Sequence, residues 1–542
     1  MLLVIHHDRT RRLLPICRQY DCAIGAGDGG CAGGCGTLST RLRGAPSGGG
    51  LLMKKHSLKS GSVLLTANLA EMAFPFIRNV LLSRLLSQEN FGVAVSLAMI
   101  SAMIEIGFDF GIPVSAVRYT ASDDPKKVLP TLQTLQLSRA VLAGALIMAM
   151  APVLAIIFKS PHATWAYVAI GACSILRGFG NLGVKQAMRD FIYWPNSLTI
   201  ILTQLAWTVT VVVAAWISPD YWVMAWGLLA SVVASVITSH MLSRFSWRLG
   251  WHKAVANEAT SFGKPLVPNG WVSAGLTLGD RAFIGWALGV HALAFYSVIF
   301  GTATLPRGAI LRFLTSLFVP VFVDRPPDHP SVKKNCARWT LVLSLTAFLY
   351  AMGFIFAGTP LLPLLFGKTY AATPYLMSLI GLNLFVKFLY QLPSPVALAQ
   401  GRSKLMLTCT VFSIIALGIG AAATLVVPSI DVFVLALTAA EIIAVLRIGM
   451  IAINTLGYSR GQVWLALLGP MAAIAVALAA SLIFPAPPLL DWLLLGGALT
   501  SGGLIFYVVM AHVFIDPLKP ALLRQAVSGL LNRRAVVVSE EP

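Results

Sequence analysis

The chain has 542 residues, of which 57% are hydrophobic and only 11% charged, and its mean hydropathy is +0.79. A soluble protein of this length carries roughly 25% charged residues to cover its surface, so this composition excludes a water-surrounded globular enzyme. The net charge of +19 does not point to nucleic acid, because most of the Lys and Arg stand in short segments between apolar runs, where they report topology.

Residues 1–52 differ from the rest, being rich in Gly, Arg and Cys and lacking a sustained apolar run. Gly25-Ala-Gly27-Asp-Gly29-Gly30 matches the bare G-x-G-x-x-G pattern, but no helix and no acidic residue about 20 positions on accompany it. Cys31 and Cys35 lack a second ligand pair at zinc spacing, so no metal is expected. With Cys17 and Cys22 they do not form a secreted disulfide framework. The stretch reads as a disordered extension or a mis-assigned start, with Met53-Lys-Lys-His-Ser-Leu-Lys as a natural beginning before the first apolar run.

A spanning helix needs roughly 20 mostly apolar residues. Such runs lie at about 61–83, 91–117, 132–158, 163–187, 197–217 and 222–243, then at 264–288, 291–319, 338–358, 373–398, 404–427 and 432–454, and finally at 462–484 and 489–515. The expected fold is all-α and polytopic, with about 14 transmembrane helices. An N-lobe over 53–243 and a C-lobe over 263–454 are joined by a linker, 244–262, and followed by two extra helices in 455–515 and a cytoplasmic tail, 516–542. Threading with both termini in the cytoplasm puts nearly all Lys and Arg of the loops inside, from Lys54 and Lys55 to Arg533 and Arg534; the outer loops hold only Arg84, Lys159 and Lys368. The linker carries Arg244, Trp247, Arg248, Trp251, His252 and Lys253, a basic aromatic pattern suited to the inner headgroup layer. Tyr193-Trp194 and Tyr221-Trp222 read as interfacial anchors.

The lobes echo one another weakly. Arg78-Asn-Val-Leu-Leu-Ser-Arg leads through a short turn to Phe91-Gly92, and Arg281-Ala-Phe-Ile-Gly-Trp leads to Phe295-Tyr296. Six helices restore the starting side, so such repeats are parallel, about an axis along the membrane normal. The stretch LLSRLLSQENFGVAVSLAMI (82–100) resembles the first hairpin of polysaccharide-export flippases of the multidrug/oligosaccharidyl-lipid/polysaccharide (MOP) superfamily. GDRAFIGWALGVHALAFYSVIFGTATLP (279–306) resembles their seventh-to-eighth helix passage, and LFGKTYAAT (365–373) is similar to their outer loop after helix nine. The resemblance covers 57 to about 515. It implies a V-shaped pair of lobes related by pseudo-two-fold symmetry around a central cavity. It also implies a cargo of oligosaccharide on a polyprenyl diphosphate, moved from the inner to the outer leaflet for O-antigen, capsule or exopolysaccharide synthesis.

Charge at membrane depth is costly and faces a cavity or a partner. The basic set expected to line a cavity is Arg78, Arg139, Arg177, Arg281, Arg307 and Lys387; Arg312 and Arg447 stand near helix ends and can snorkel. A diphosphate cannot cross bare hydrocarbon, and the planar arginine fork holds phosphate oxygens while staying charged. Glu71, counted about 16 Å from an inner end near residue 60, is the expected coupling or gating group together with Asp280. Pro75 cannot donate to the Glu71 carbonyl, so the helix can bend there. Gly275 and Gly279 offer a line for close helix contact, and Asp280 and Arg281 point about 100° apart toward different neighbours. Glu105 and Asp109 share a helix face and demand basic partners.

Phosphate-loop, H-E-x-x-H and G-x-S-x-G motifs are missing, so no enzyme and no cofactor is expected. The partners expected are the lipid-linked oligosaccharide, membrane lipid, a glycan polymerase and a chain-length regulator, in a bacterial inner membrane. The rivals are a cation or drug antiporter of the same superfamily, a membrane glycan polymerase and a structural scaffold.

Overall fold

The computed structural model describes residues 49–118, 125–190, 192–322, 330–399, 402–484 and 487–514. The expectations placed on 1–48 and on 516–542 lie outside the described residues. The chain divides into two compact units, Met1–Lys59 and Ser60–Pro542, and the second holds the helix bundle.

All the described regular structure is helical. α1 (Gly49–Leu85) starts before Met53 and runs through Pro75 without interruption. α2 (Gln88–Gly107) follows a short turn in which the Ser87 hydroxyl accepts a hydrogen bond from the Asn90 N–H at 3.2 Å, which satisfies one free amide of the first turn. α3 (Ile112–Arg118), α4 (Pro125–Ile157), α5 (Thr164–Arg177), α6 (Gly183–Gln186), α7 (Trp194–Ile217) and α8 (Trp222–Leu242) complete the first half. An amphipathic helix absent from the sequence reading, α9 (Lys253–Gly263), lies inside the linker. The second half runs through α10 (Leu266–Leu288), α11 (Val290–Phe322), α12 (Pro330–Phe366), α13 (Pro374–Leu389), α14 (Ser394–Ala399), α15 (Ser403–Val426) and α16 (Ile430–Leu456). The last two helices are α17 (Arg460–Ile483) and α18 (Leu489–Phe514).

Each of the apolar runs therefore contains a helix, but three of the runs are not continuous. The run at 91–117 breaks at Phe108–Gly111, where Gly111 has φ +63° and its N–H binds the Asp109 carboxylate at 2.9 Å. The run at 163–187 ends its long helix at Arg177, and the Gln136 amide caps the freed carbonyls of Gly178 and Gly180 at 3.2 and 3.0 Å. The run at 373–398 breaks at Tyr390–Pro393, because Pro393 and Pro395 lack the N–H groups a helix would need. The orphaned Leu392 carbonyl there accepts from Trp339 Nε1 at 2.9 Å and Tyr458 Oη at 2.8 Å. Broken backbone at membrane depth survives only when protein supplies such partners.

Among the described residues ten helices are long and apolar enough to cross a membrane. α5 is too short, at 14 residues. α1, α10 and α11 are long enough, at 37, 23 and 33 residues, and fall outside these ten.

The largest apolar core is shared by both expected lobes, from Phe91 and Leu97 of α2 through Tyr167 of α5 to Tyr296 of α11 and Phe433 of α16. A second core, around Trp339, Phe348 and Phe388, belongs to the second half and takes in Trp492 and Tyr507 of α18. The linker is tied down as well as amphipathic: Arg248 N–H donates to Gln133 Oε1 at 3.0 Å and His252 N–H to Thr131 Oγ1 at 3.1 Å.

Candidate functional site

A cavity of about 240 Å³ opens where α1, α10, α11 and the end of α12 meet. α1 contributes Pro75, Phe76 and Asn79, α10 contributes Arg281, α11 contributes the face from Ser297 to Leu305, and α12 contributes Phe366. Ser297, Gly301 and Thr304 recur at spacings of four and three, which puts them on one face of α11. The wall comes from helices in both halves of the chain.

Arg281 is the charged side chain of this wall. Its Nε is buried without a hydrogen-bond partner, and so is the Ser297 hydroxyl. Gly301 leaves room for the guanidinium: a Cβ there would lie 3.9 Å from Arg281 Nη2. The Thr302 and Thr304 hydroxyls donate back to Val298 and Phe300 carbonyls, both at 2.7 Å, which leaves their oxygens to accept. The cavity thus offers a cationic fork, an amide, a hydroxyl of either polarity and acceptor oxygens beside two phenyl rings, a mixture suited to a phosphorylated or hydroxylated ligand.

Asp280 turns away from Arg281. It accepts from Tyr296 Oη at 2.9 Å and from the Arg281 backbone N–H at 2.8 Å, so it is a structural partner of α11 and not part of the cavity wall.

The other expected cavity cations are elsewhere. Arg78, 5% exposed, is outside the wall of this cavity, with its guanidinium 3.7 Å from the Trp207 ring centroid, a cation–π contact. Its Nε and Nη1 have no hydrogen-bond partner. Arg139 pairs with Asp109 at 3.9 Å and donates to the Phe108 carbonyl at 3.1 Å, so it closes the C-terminus of α2, where a cation is favoured. Arg177 pairs with Glu105. Lys387 faces Glu441 at 3.7 Å, Arg307 donates to the Lys387 carbonyl at 3.3 Å, and Asn383 Nδ2 donates to Glu441 at 2.8 Å. This last group is a polar knot inside the second half. Of the six expected cations, four have partners within their own half, one stacks on an indole, and Arg281 lines this hollow.

Counted from the C-terminal end of α1 at Leu85, Glu71 lies about 21 Å along the helix and Pro75 about 15 Å. Glu71 is exposed, outside the cavity wall, and close enough to Lys185 to interact with it electrostatically. Gly275, expected at a close helix contact, has nothing within 4 Å of where a Cβ would stand, while Gly279 approaches Leu417 Cδ2 at 3.3 Å.

Sequence reading missed Asn79, Ser297, Thr302, Thr304 and the two phenylalanines. The available signal was the small-and-polar stripe on an otherwise apolar α11.

The family model described as "Polysaccharide biosynthesis protein" matches residues 81–374, a span that contains all three stretches on which the resemblance rested. No curated protein sequence matches the chain. Among solved structures, "Lipid II flippase MurJ, inward closed conformation" superposes with a TM-score of 0.64 at 13% identity, covering 85% of this chain and 100% of that one. An inward-facing "multidrug resistance MATE family transporter of the MOP superfamily" superposes with a TM-score of 0.52 at 12% identity, covering 74% of this chain and 94% of that one. At these identities the structural matches establish the fold, and the family match establishes kinship. The chain is a multi-pass membrane protein of the polysaccharide biosynthesis protein family, built on the fold of the MOP superfamily.

Proposed function

We propose that this protein turns a polyprenyl-diphosphate-linked oligosaccharide from the inner to the outer leaflet of a bacterial inner membrane, for O-antigen, capsule or exopolysaccharide synthesis. The carrying observation is Arg281, a cation with an unsatisfied buried Nε on a hollow built by both halves of the chain. In this reading the guanidinium holds phosphate oxygens in transit, where an unpaired anion would cost several kcal/mol or more. Asn79, Ser297 and the Thr302 and Thr304 oxygens meet the first sugar, and the polyprenyl tail stays in lipid. The two halves rock about the cavity in alternating access, with the chain threaded by fourteen helices and both termini in the cytoplasm. An inside-negative potential by itself favours outward movement of an anion, by about 2.3 kcal/mol per charge per 100 mV. A glycan polymerase and a chain-length regulator are the partners such a step would feed. The antiporter alternative fits less well, since a cationic cargo calls for a carboxylate and the cavity wall has Arg281 instead.

The test is complementation of a strain lacking its own repeat-unit flippase, scored by surface glycan, with membrane insertion checked by immunoblot. Arg281→Ala is expected to abolish surface glycan and Arg281→Lys to restore part of it. Full complementation by Arg281→Ala would remove the residue, and this reading of the cavity, from the mechanism.

A further inference from the structure

The positive-inside pattern has few exceptions, and two of them share an unusual placement. Arg84, at the end of α1, donates from Nε to the Leu365 carbonyl at 2.7 Å and from Nη2 to the Leu364 carbonyl. Lys159, in the turn after α4, donates from Nζ to the Ala287 carbonyl at 3.1 Å. Both cations come from the first half, and the three acceptor carbonyls lie in the last turns of second-half helices, α12 and α10. The last carbonyls of a helix have no intrahelical donor and carry the negative end of its dipole. Each cation therefore closes an opposite-half helix terminus at the same end of the bundle.

Lys159 carries a second sign. Among the described residues it is the non-glycine with positive φ, +53°, a backbone position that costs an L-residue about 1–2 kcal/mol. A position so strained persists where the surroundings hold it in place. Its stem crosses Gly289, whose own φ of +89° ends α10: a Cβ at Gly289 would lie 3.6 Å from Lys159 Cδ. Gln88 adds a bond to the His291 carbonyl at 3.2 Å.

We propose that Arg84 and Lys159 form a reversible latch that holds the outer end of the cavity shut. Beneath the polar layer the closure is apolar: Phe76 meets Phe366 edge-on at 6.1 Å and Phe91 meets Tyr370 at 6.0 Å. Phe76 and Phe366 both line the cavity, and Phe366 follows the carbonyls that Arg84 holds. Both cations and their contacts are exposed, so water can replace each bond when the halves part, and release strands no buried charge. An ion pair would instead demand a carboxylate on the facing half; helix termini supply the negative charge here without one. The latch rests on the translocation reading for its purpose, while its geometry stands without it.

The test needs no cargo. Ser297→Cys places a thiol on the cavity wall, and right-side-out vesicles are treated with a membrane-impermeant maleimide, with the chain lacking that cysteine as background. Arg84→Gln combined with Lys159→Asn removes both cations, asparagine being tolerant of the left-handed backbone. The expected result is labelling about tenfold faster than with the latch intact, the scale of losing a few charge-assisted bonds. Arg84→Lys, which keeps a cation, should stay within about threefold of the parent, and Lys159→Asn alone should give an intermediate rate. Unchanged or slower labelling in the double variant overturns the latch. If the double variant fails to insert, equal rates for Lys159→Asn and the parent overturn it instead. Surface-glycan complementation, measured in parallel, separates this failure from failure of the translocation reading.

Discussion

The seam helices α1, α10 and α11 and the terminal pair α17 and α18 are built from the same hydrophobic alphabet and do opposite things with it. α17 and α18 are apolar nearly all round, with 33% and 17% of their most apolar windows buried. They dock on α12 through ring contacts such as Phe356 with Trp492 at 4.7 Å and Phe348 with Tyr507 at 5.9 Å. Their buried polar groups are few: Ser344 Oγ donates to Ala466 O at 2.6 Å and meets Tyr507 Oη at 2.6 Å, while Trp492 Nε1 is buried without a partner. The seam helices instead gather unpartnered polar groups on the cavity wall, as with Arg281 Nε and Ser297 Oγ. A buried polar group without a partner costs roughly 1–3 kcal/mol. A helix that carries several of them is being used for something other than stability. In this chain unpartnered polar groups gathered on one hollow mark the cavity.

The largest effect should come from the seam's cation. Arg281→Ala is expected to lower transport, measured as surface glycan per inserted molecule, by at least about a hundredfold, since it removes charge-assisted bonds of roughly 1.5–3 kcal/mol each. Thermal unfolding of the purified protein should change little, because Arg281 Nε has no hydrogen-bond partner among the described residues. A large loss of thermal stability with unchanged transport would reverse the contrast drawn between seam and periphery.

Ser297 gives the next effect. Ser297→Leu fills part of the cavity and removes the unpaired hydroxyl, so transport should drop about tenfold while stability holds or rises by a few tenths of a kcal/mol. Ser297→Ala should leave more transport than Ser297→Leu. Equal transport in all three proteins would mean that cargo does not pass this wall.

Hydropathy made the bundle legible because spanning length and loop charge are local quantities. The apolar runs each contain a helix, and three stretches of sequence sufficed for the family. What stayed hidden is non-local. Phe108, Phe110, Tyr390 and Leu392 keep their runs apolar, yet the backbone breaks there, supported by Arg139 from 31 residues away and by Trp339 and Tyr458 from 53 and 66. Pairings hid for the same reason: Arg177 finds Glu105 across 72 residues, so a count of buried cations could not separate cavity lining from ion pairs. Arg281 was named in the expected set, with nothing in its local sequence to set it apart from the other five cations. The hydroxyl face of α11 was not, since serine and threonine in membrane helices commonly bond back to their own backbone, as Thr302 and Thr304 do.

The polar knot of the second half sharpens the comparison from the other side, as a charged cluster that should matter for folding and little for cargo. Glu441 is 3% exposed. Glu441→Gln removes the anion facing Lys387 and Arg307, and breaking one side of a buried pair costs about 3–5 kcal/mol. The thermal midpoint should fall clearly, and transport per folded molecule should fall no more than about threefold. Adding Lys387→Met should recover much of the lost stability, since both charges are then gone. A double-mutant cycle on thermal stability measures this coupling directly.

The smallest effect belongs to α18. A side chain at Gly503 would overlap the Phe348 ring, and one at Gly496 would overlap Phe356, so both glycines let α18 lie close against α12. Gly503→Val should loosen that helix and lower the thermal midpoint by a few degrees, about 1–3 kcal/mol of overpacking. Transport per inserted molecule should change less than about twofold, because α18 contributes nothing to the cavity wall. A tenfold loss of transport at preserved insertion would show that the terminal pair carries conformational coupling, and the division of labour between seam and periphery would have to be redrawn with α12 as its link. α12 is the helix through which such coupling would run, since it bears Phe348 and Phe356 on the α18 side and ends at Phe366 in the cavity.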